Sequence, residues 1–358
     1  MKKLLLIVAT IGIVFVSGCT KEQQDIINTN NEIIKQQQTV ENNQAQKPYK
    51  PFEDFYTPAF QLIWNDFTDK FVKHKIEFVD GNPPFADNLN QRRLSENMLS
   101  EKDYYKTIAP QTVETKKKIE KTIKEKFNEK SKILDSVGWL KKDDGFTKIL
   151  YCMFKKNIYF EQEFENLFAN RFNYSEKCYK YFGIKKYDAK LAKSVTPVYY
   201  NNFNDYAVIL NTKSGDEIIL QRIDDDKPVF DYWDKLYNEY LKNGTKIAFT
   251  SEDKLAVPEI KYSQMLQYNE LSGHEIKNSK YVISKAIEAI DFKLNAKGAE
   301  LRNEALMSVY KTAIYRKTNS RCYNFDKPFI LFIRSKNAEV PYFALKIKDE
   351  RYLVEKKQ

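Results

Sequence analysis

The chain has 358 residues, with 59 Lys+Arg against 49 Asp+Glu and only two histidines, His74 and His274. Forty-two per cent apolar and 14% aromatic residues supply a real core and exclude wholesale disorder, and the length exceeds that of a minimal disulfide scaffold. Ten glycines, two isolated histidines and the lack of G-x-x-x-x-G-K-[ST], G-x-G-x-x-G, G-x-S-x-G and H-E-x-x-H weigh against phosphate-loop, dinucleotide, hydrolase and metalloprotease readings, so neither a cofactor nor a metal is expected.

In chain order, Lys2 and Lys3 give a positive start, Leu4 to Val16 an apolar stretch, and Val16-Ser17-Gly18-Cys19 an exit. Even extended through Gly18, the apolar run of 15 residues is short of the ~20 that cross a hydrocarbon core. The V-S-G-C end resembles the bacterial lipobox. That resemblance implies a signal peptide over 1–18 and a mature chain starting at a lipidated Cys19, with diacylglycerol on the thiol and palmitate-type chains. It also implies a lipid membrane as partner and a place in the bacterial cell envelope, outside the cytoplasm, inner or outer membrane being left open. Ordinary cleavage with a free cysteine is the alternative. Stable anchoring takes more than one acyl chain.

Residues 19–58 read as the lipidated cysteine followed by a polar tether, with runs such as Asn28-Thr29-Asn30-Asn31 and Gln36-Gln37-Gln38 and prolines Pro48, Pro51 and Pro58 at its end. Without Lys2 and Lys3 the 59 basic side chains become 57 against 49 acidic, a net of +8. The lysines are interleaved with glutamate and form no stripe with aromatic spacing, so nucleic acid is not expected as a partner.

A single domain is expected over 59–354. Phe60, Trp64, Phe67 and Phe71, at spacings of 4, 3 and 4, predict an amphipathic helix. Gly81, Pro83 and Pro84 break 79–88. A helix over 112–130 carries Ile119, Ile123 and Phe127, and its Lys116-Lys117-Lys118 run reads as a solvated face. From about 146 the texture turns to strands, at Lys148–Phe154, Ala207–Leu210, Ile218–Ile223, Lys246–Thr250, 281–294, 328–334 and 341–347, interrupted by a helix over 229–242. Helices first and strands later predict an α+β fold on a mainly antiparallel or mixed sheet. Cys152, Cys178 and Cys322 are an odd set without zinc or CxxC spacing, leaving one disulfide and buried free thiols both open. Asp224-Asp225-Asp226 and Asp143-Asp144, beside Pro228 and Gly145, read as turn residues, and no nucleophile is matched to a base, so an enzyme is not expected.

Two blocks near the C-terminus resemble the serpin family. Ile283-Ser284-Lys285-Ala286-Ile287-Glu288-Ala289-Ile290, then Asp291-Phe292-Lys293-Leu294-Asn295-Ala296-Lys297-Gly298-Ala299-Glu300, is similar to the strand ending in the V-N-E-E-G-T-E-A hinge. Phe325-Asp326-Lys327-Pro328-Phe329-Ile330-Leu331-Phe332-Ile333-Arg334 with Pro341 to Ile347 is similar to the closing F-x-x-x-x-P-F-L-F-x-I-R hairpin. Ile119–Lys132, Ile149–Phe164 and Val257–Lys261 follow the family's order upstream. The chain departs from the family in lacking S-P-L-S, in having few residues between its first helix and the helix over 112–130, in Tyr159 or Phe160 at a tryptophan position, and in Glu288-Ala289 at a His-Lys position.

The resemblance implies a serpin-like fold: helices on a large, mostly antiparallel or mixed central sheet, a second smaller sheet and an exposed C-terminal reactive-type loop, 299–324. It also implies a monomer that inhibits a serine or cysteine protease through loop cleavage and insertion. An inserting strand needs a period of two. Gly298 would be the hinge, and Ala299, Leu301, Asn303, Ala305, Met307 and Val309 the buried face, five of these six being apolar, opposite Glu300, Arg302, Glu304, Leu306, Ser308 and Tyr310. The same pattern fits a permanently ordered strand. Counting from either end places the scissile bond among Lys311, Thr312, Ala313, Arg316 and Lys317, which suits a protease preferring Lys or Arg. The competing reading is a non-inhibitory, serpin-like binding or structural lipoprotein.

Overall fold

The structure, a computed structural model, describes residues 54–244, 247–302 and 321–356, all within the unit Lys50–Gln358. Cys19 and the tether up to residue 53 lie outside the described residues.

The fold starts earlier than the expected boundary at 59. Phe55–Tyr56 forms strand β1, and the carboxylate of Asp54 lies 2.6 Å from Lys348 Nζ and 3.2 Å from Lys346 Nζ. Asp54 and Lys346 are fully buried, so each needs the other: an unpaired charge at that depth costs several kcal/mol. Helix α1, Pro58–Phe67, opens on a proline whose missing N–H would have had no partner, and a wider π turn, Thr68–Val72, continues it. Phe60, Trp64 and Phe67 face inward as their spacing predicts. The stretch expected to be broken instead holds helix α2, Pro84–Asn90. Here Pro83-Pro84 starts a helix rather than stopping one, and Phe85 and Leu89 join the α1 core.

Strand β2, Tyr104–Pro110, leads to helix α3, Val113–Phe127, whose Thr112 hydroxyl caps the Thr115 N–H and whose end is turned by Asn128 at φ 56°. Then come β3 (Lys148–Tyr159), β4 (Glu165–Asn170), β5 (Tyr179–Ile184), the short α4 (Ala189–Lys193), β6 (Val195–Asn202), β7 (Asp205–Asn211) and β8 (Asp216–Arg222). Helix α5, Val229–Leu236, runs into a π turn at Tyr237–Leu241. The chain closes with β9 (Lys254–Pro258), β10 (Ile260–Gln267), β11 (Ile287–Asn295), β12 (Gly298–Arg302), β13 (Cys322–Asn324), β14 (Phe329–Ser335) and β15 (Phe343–Ile347).

These strands make three sheets: six strands ordered β1-β15-β14-β8-β7-β6, five ordered β10-β11-β12-β3-β2, and four ordered β13-β9-β5-β4. Every pairing among them is antiparallel except β13 with β9. The expected single smaller sheet is therefore two. The mixed architecture, with a large antiparallel sheet beside smaller ones, is the α+β arrangement the sequence implies. Helix α5 seals the six-stranded sheet through Trp233, Leu236, Ile330 and Phe332. In the five-stranded sheet the alternation of β3 sends Leu150 toward α1, while Ile149, Tyr151 and Met153 meet α3 on the opposite face.

Two expected strands shrink or vanish. Residues 247–250 are not a strand, because Asp253 takes the Thr250 N–H at 2.6 Å and its hydroxyl at 3.0 Å, bending the chain into a turn. The 281–294 strand starts only at Ile287. Among the described residues, Cys152 and Cys322 are free thiols.

Candidate functional site

The five-stranded sheet holds Gly298 and the start of the expected insertion face. β11 ends at Asn295, and Ala296-Lys297 turn the chain so that β12 comes back beside it, Asn295 opposite Gly298 and Phe292 opposite Leu301. The other edge of β12 pairs with β3, Gly298 opposite Tyr159 and Arg302 opposite Lys155. Gly298 has φ 146°, and a Cβ there would lie 2.0 Å from the Ile158 carbonyl oxygen, so only glycine lets the chain enter between the two strands. Ala299 and Leu301 are buried, at 4% and 0% exposure, while Glu300 turns outward to Lys293 at 2.7 Å. Buried Ala299 and Leu301 thus alternate with outward-facing Glu300 along β12. Asn303, Ala305, Met307 and Val309 lie outside the described residues, as do Lys311, Thr312, Ala313, Arg316 and Lys317.

The placement corrects the expected loop, 299–324. Its first residues, Ala299–Arg302, are an internal strand. Its last, Cys322–Asn324, belong to the four-stranded sheet. Arg321 fixes that end: its guanidinium grips Asp253 at 2.8 and 2.6 Å and donates to the Ala248 carbonyl at 2.8 Å. The Asp253 carboxylate holds the Arg321 guanidinium above its usual range. The 18 residues 303–320, between β12 and the Arg321 clamp, lie outside the described residues.

Beyond Arg302, β3 and β11 stand apart. β3 residues 148–154 pair with β2 on one side, and β11 pairs with β10 on its other side, but no described strand lies between the two. A cleft of about 600 Å³ occupies this interval, with Lys148–Tyr151 on one wall and Tyr281–Ile287 on the other. Its floor is the aromatic face of α1, including Phe60, Trp64 and Phe67. A smaller cavity of about 80 Å³, between Cys152–Phe154 and Glu288–Ala289, continues it toward β12. The segment after α3, residues 130–138, roofs both.

At the start of helix α1 the Thr57 hydroxyl donates to buried Glu288, and Tyr268 donates to the same carboxylate at 2.8 Å. At the tryptophan position Phe160 is the core residue, packed on Phe164 and Phe182, while Tyr159 is 58% exposed. Opposite Leu301, Lys156 reaches Asp216 at 2.8 Å and Asp103 at 3.1 Å, an ion cluster under the hinge that sequence reading missed because its members are far apart in the chain. Asp144 is a turn residue as expected, held down at about 2 by the Thr147 hydroxyl and the N–H groups of Thr147 and Phe146. Asp226 does more than turn the chain, since it pairs with buried Lys346 at 2.9 Å.

Cys152 lines the smaller cavity, and burial pushes its thiol well above the usual range. Because the thiolate is the reactive form, maleimide should modify Cys152 slower than exposed Cys322 by roughly ten-fold or more, measured by mass spectrometry of quenched time points. Equal rates would mean that the cavity is already open to solvent.

No protein-family profile and no curated protein matches the chain. Among solved structures it is similar to Serpin48 of the insect Tenebrio molitor (11% identity, 83% of this chain and 92% of that one, TM-score 0.45). It is also similar to thyroxine-binding globulin in complex with thyroxine (11%, 84% and 94%, TM-score 0.46) and to a serpin from the trematode Schistosoma haematobium (14%, 75% and 80%, TM-score 0.44). At such identities and TM-scores the case for a function rests on the chain's own hinge and cleft.

Proposed function

We propose that the chain is an envelope lipoprotein, held by an acylated Cys19, that traps a protease preferring Lys or Arg through cleavage of residues 303–320 and insertion of the freed strand. The observation that carries this is the register of β12. A strand continuing past Arg302 in the same pairing would set Asn303 between Phe154 and Ile290 and reach Lys148 at Val309, filling the interval that the cleft occupies. In that register Ala305, Met307 and Val309 share the buried face of Ala299 and Leu301. Pairing an added strand within a sheet is the physics of loop insertion in serpins, a case the strand-addition principle itself names. The arrangement needs no nucleophile or base of its own.

Mixing the protein with trypsin-like serine proteases should give an SDS-resistant adduct: the serine is acylated by the new carboxyl end, the C-terminal fragment carrying the new amino end leaves, and in SDS the band runs at the summed mass less that fragment. Free, active protease beside a nicked chain would reject the trap. One observation favours a second reading, a non-inhibitory binding protein: the hinge is already threaded at Ala299–Arg302, so β12 serves as a permanent strand even if nothing follows it. Radiolabelled palmitate on the wild type, absent from Cys19→Ala, tests the anchor.

A further inference from the structure

Strand β2 is an open edge of the five-stranded sheet: it pairs with β3 on one side, and among the described residues no strand lies on the other. The Gln111 N–H donates to the Thr147 carbonyl at 3.1 Å, which fixes the direction of the backbone groups before it. Neighbouring residues of a strand point their N–H and C=O groups to opposite edges. Tyr105, Thr107 and Ala109 therefore bond β3, while Tyr104, Lys106, Ile108 and Pro110 face outward. Pro110 agrees, because an outward position is where a missing N–H costs nothing. Both ends of this outer edge are already closed. Lys126 Nζ donates to the Tyr104 carbonyl at 2.6 Å, and the Pro110 carbonyl accepts from the Thr112 N–H at 2.8 Å. Between them the backbone N–H and C=O groups of Lys106 and Ile108 have no partner among the described residues. Such a row of alternating donors and acceptors is a template for an added strand.

Beside that row lies an open groove of about 370 Å³, lined by Asp66, Lys70, Phe71, Lys106, Thr107 and Ile108. Its charges cancel. Lys106 Nζ sits between Asp66 at 2.9 Å and Glu96 at 2.8 Å, and Lys70 holds the other Asp66 oxygen at 2.8 Å. The edge is thus a neutral strip on a chain whose net charge is +10.

We propose that this edge pairs with the same edge of a second copy, antiparallel, about a two-fold axis through Thr107, a departure from the monomer that the sequence resemblance implies. The free groups dictate the register. Lys106 and Ile108 of one chain face Ile108 and Lys106 of the other, and each outward N–H finds a C=O. A two-fold contact must be self-complementary, and this one is. On the α3 face, where Tyr105 packs, Thr107 meets its own copy and Tyr105 meets Ala109, a large side chain against a small one. On the α1 face Ile108 lies along the stem of the other chain's Lys106, whose ammonium its own Asp66 and Glu96 already neutralise, so no like charges stand directly opposite. Elsewhere the basic surfaces of two copies repel; here they do not. The interface does not depend on strand insertion, because the cleft lies on the other side of β3.

The full-length chain with Cys19→Ala and Cys322→Ser is the background for the test. Thr107→Cys should oxidise to a linked dimer at least about ten-fold faster than Ala109→Cys, read on non-reducing gels. In the proposed register position 107 faces its own copy, whereas position 109 lies about 13 Å from its copy, beyond the reach of a disulfide. Sedimentation between ~1 µM and ~1 mM should show a monomer–dimer equilibrium. Ile108→Pro should weaken it about ten-fold or more with the melting temperature unchanged, since it takes its N–H from the open side alone. Thr107→Lys, which sets like charges on the axis, should do the same. Exchange protection of the Lys106 and Ile108 amides should rise with protein concentration. Equal cross-linking at positions 107 and 109, or a monomer throughout that range, would overturn the proposal. So would amides already protected at the lowest concentration, which would mean that the chain covers this edge itself.

Discussion

Cutting the chain between Arg302 and Arg321 should raise its melting temperature by roughly 10 °C, seen by calorimetry before and after limited proteolysis. A seven-residue strand paired along β3, and along β11 as far as Ile287, makes about 11 backbone hydrogen bonds at ~1 kcal/mol each. Ordering those residues costs about 10 kcal/mol, and burying Ala305, Met307 and Val309 returns about 5. The net, ~6 kcal/mol, meets an unfolding entropy of about 0.6 kcal/mol/K for a domain near this size. Before the cut, Arg321 holds the far end of the segment on Asp253, so the freedom to enter comes from cleavage. Ala305→Asp should be cut equally well yet show no thermal gain, because its carboxylate would enter an apolar wall unpaired. Identical melting curves for the cut and uncut wild type would defeat the insertion reading.

Gly298→Ala should destabilise the uncut protein by about 2–4 kcal/mol and erase the post-cleavage gain. Its Cβ would sit 2.0 Å from the Ile158 carbonyl oxygen and 2.9 Å from Tyr159 Cα, both backbone atoms that no rotamer change moves aside. Either β12 leaves the sheet, uncovering Leu301 and the ion cluster of Lys156, Asp216 and Asp103, or β3 shifts as a whole. Lys297→Ala, one residue earlier in an exposed turn, is the control and should change stability by less than about 0.5 kcal/mol. Urea denaturation of the two variants reads the difference, and equal midpoints would show that the strand is not threaded as described.

The burial pattern of β12 was legible because it is a local period of two, Ala299 and Leu301 against Glu300, and a glycine at its head marks a backbone without room for a side chain. The closing hairpin was legible for the same reason, as Phe329–Ser335 and Phe343–Ile347 are near-continuous apolar runs buried on both faces. Strand β2 was missed because all seven of its residues are half-buried at a sheet edge, which leaves no alternation to read. Helix α2 was missed because the prolines that interrupt the pattern are also what starts it. The cleft could not be read at all. Leu150 and Ile287 on its two walls are 137 positions apart, and an interval between two strands is a property of their spacing, which no single segment encodes.

Asp54 gives the molecule a mechanical bias. Any pull that arrives along the chain from residue 53 meets its first firm hold at the Asp54 carboxylate between Lys346 and Lys348, and then the β1–β15 pairing. Load is therefore taken up at the rim of the six-stranded sheet and its α5 backing. The five-stranded sheet, whose two halves are joined by the short strand β12, stays outside the line of force, so tension at residue 53 would strip β1 before it could disturb β12.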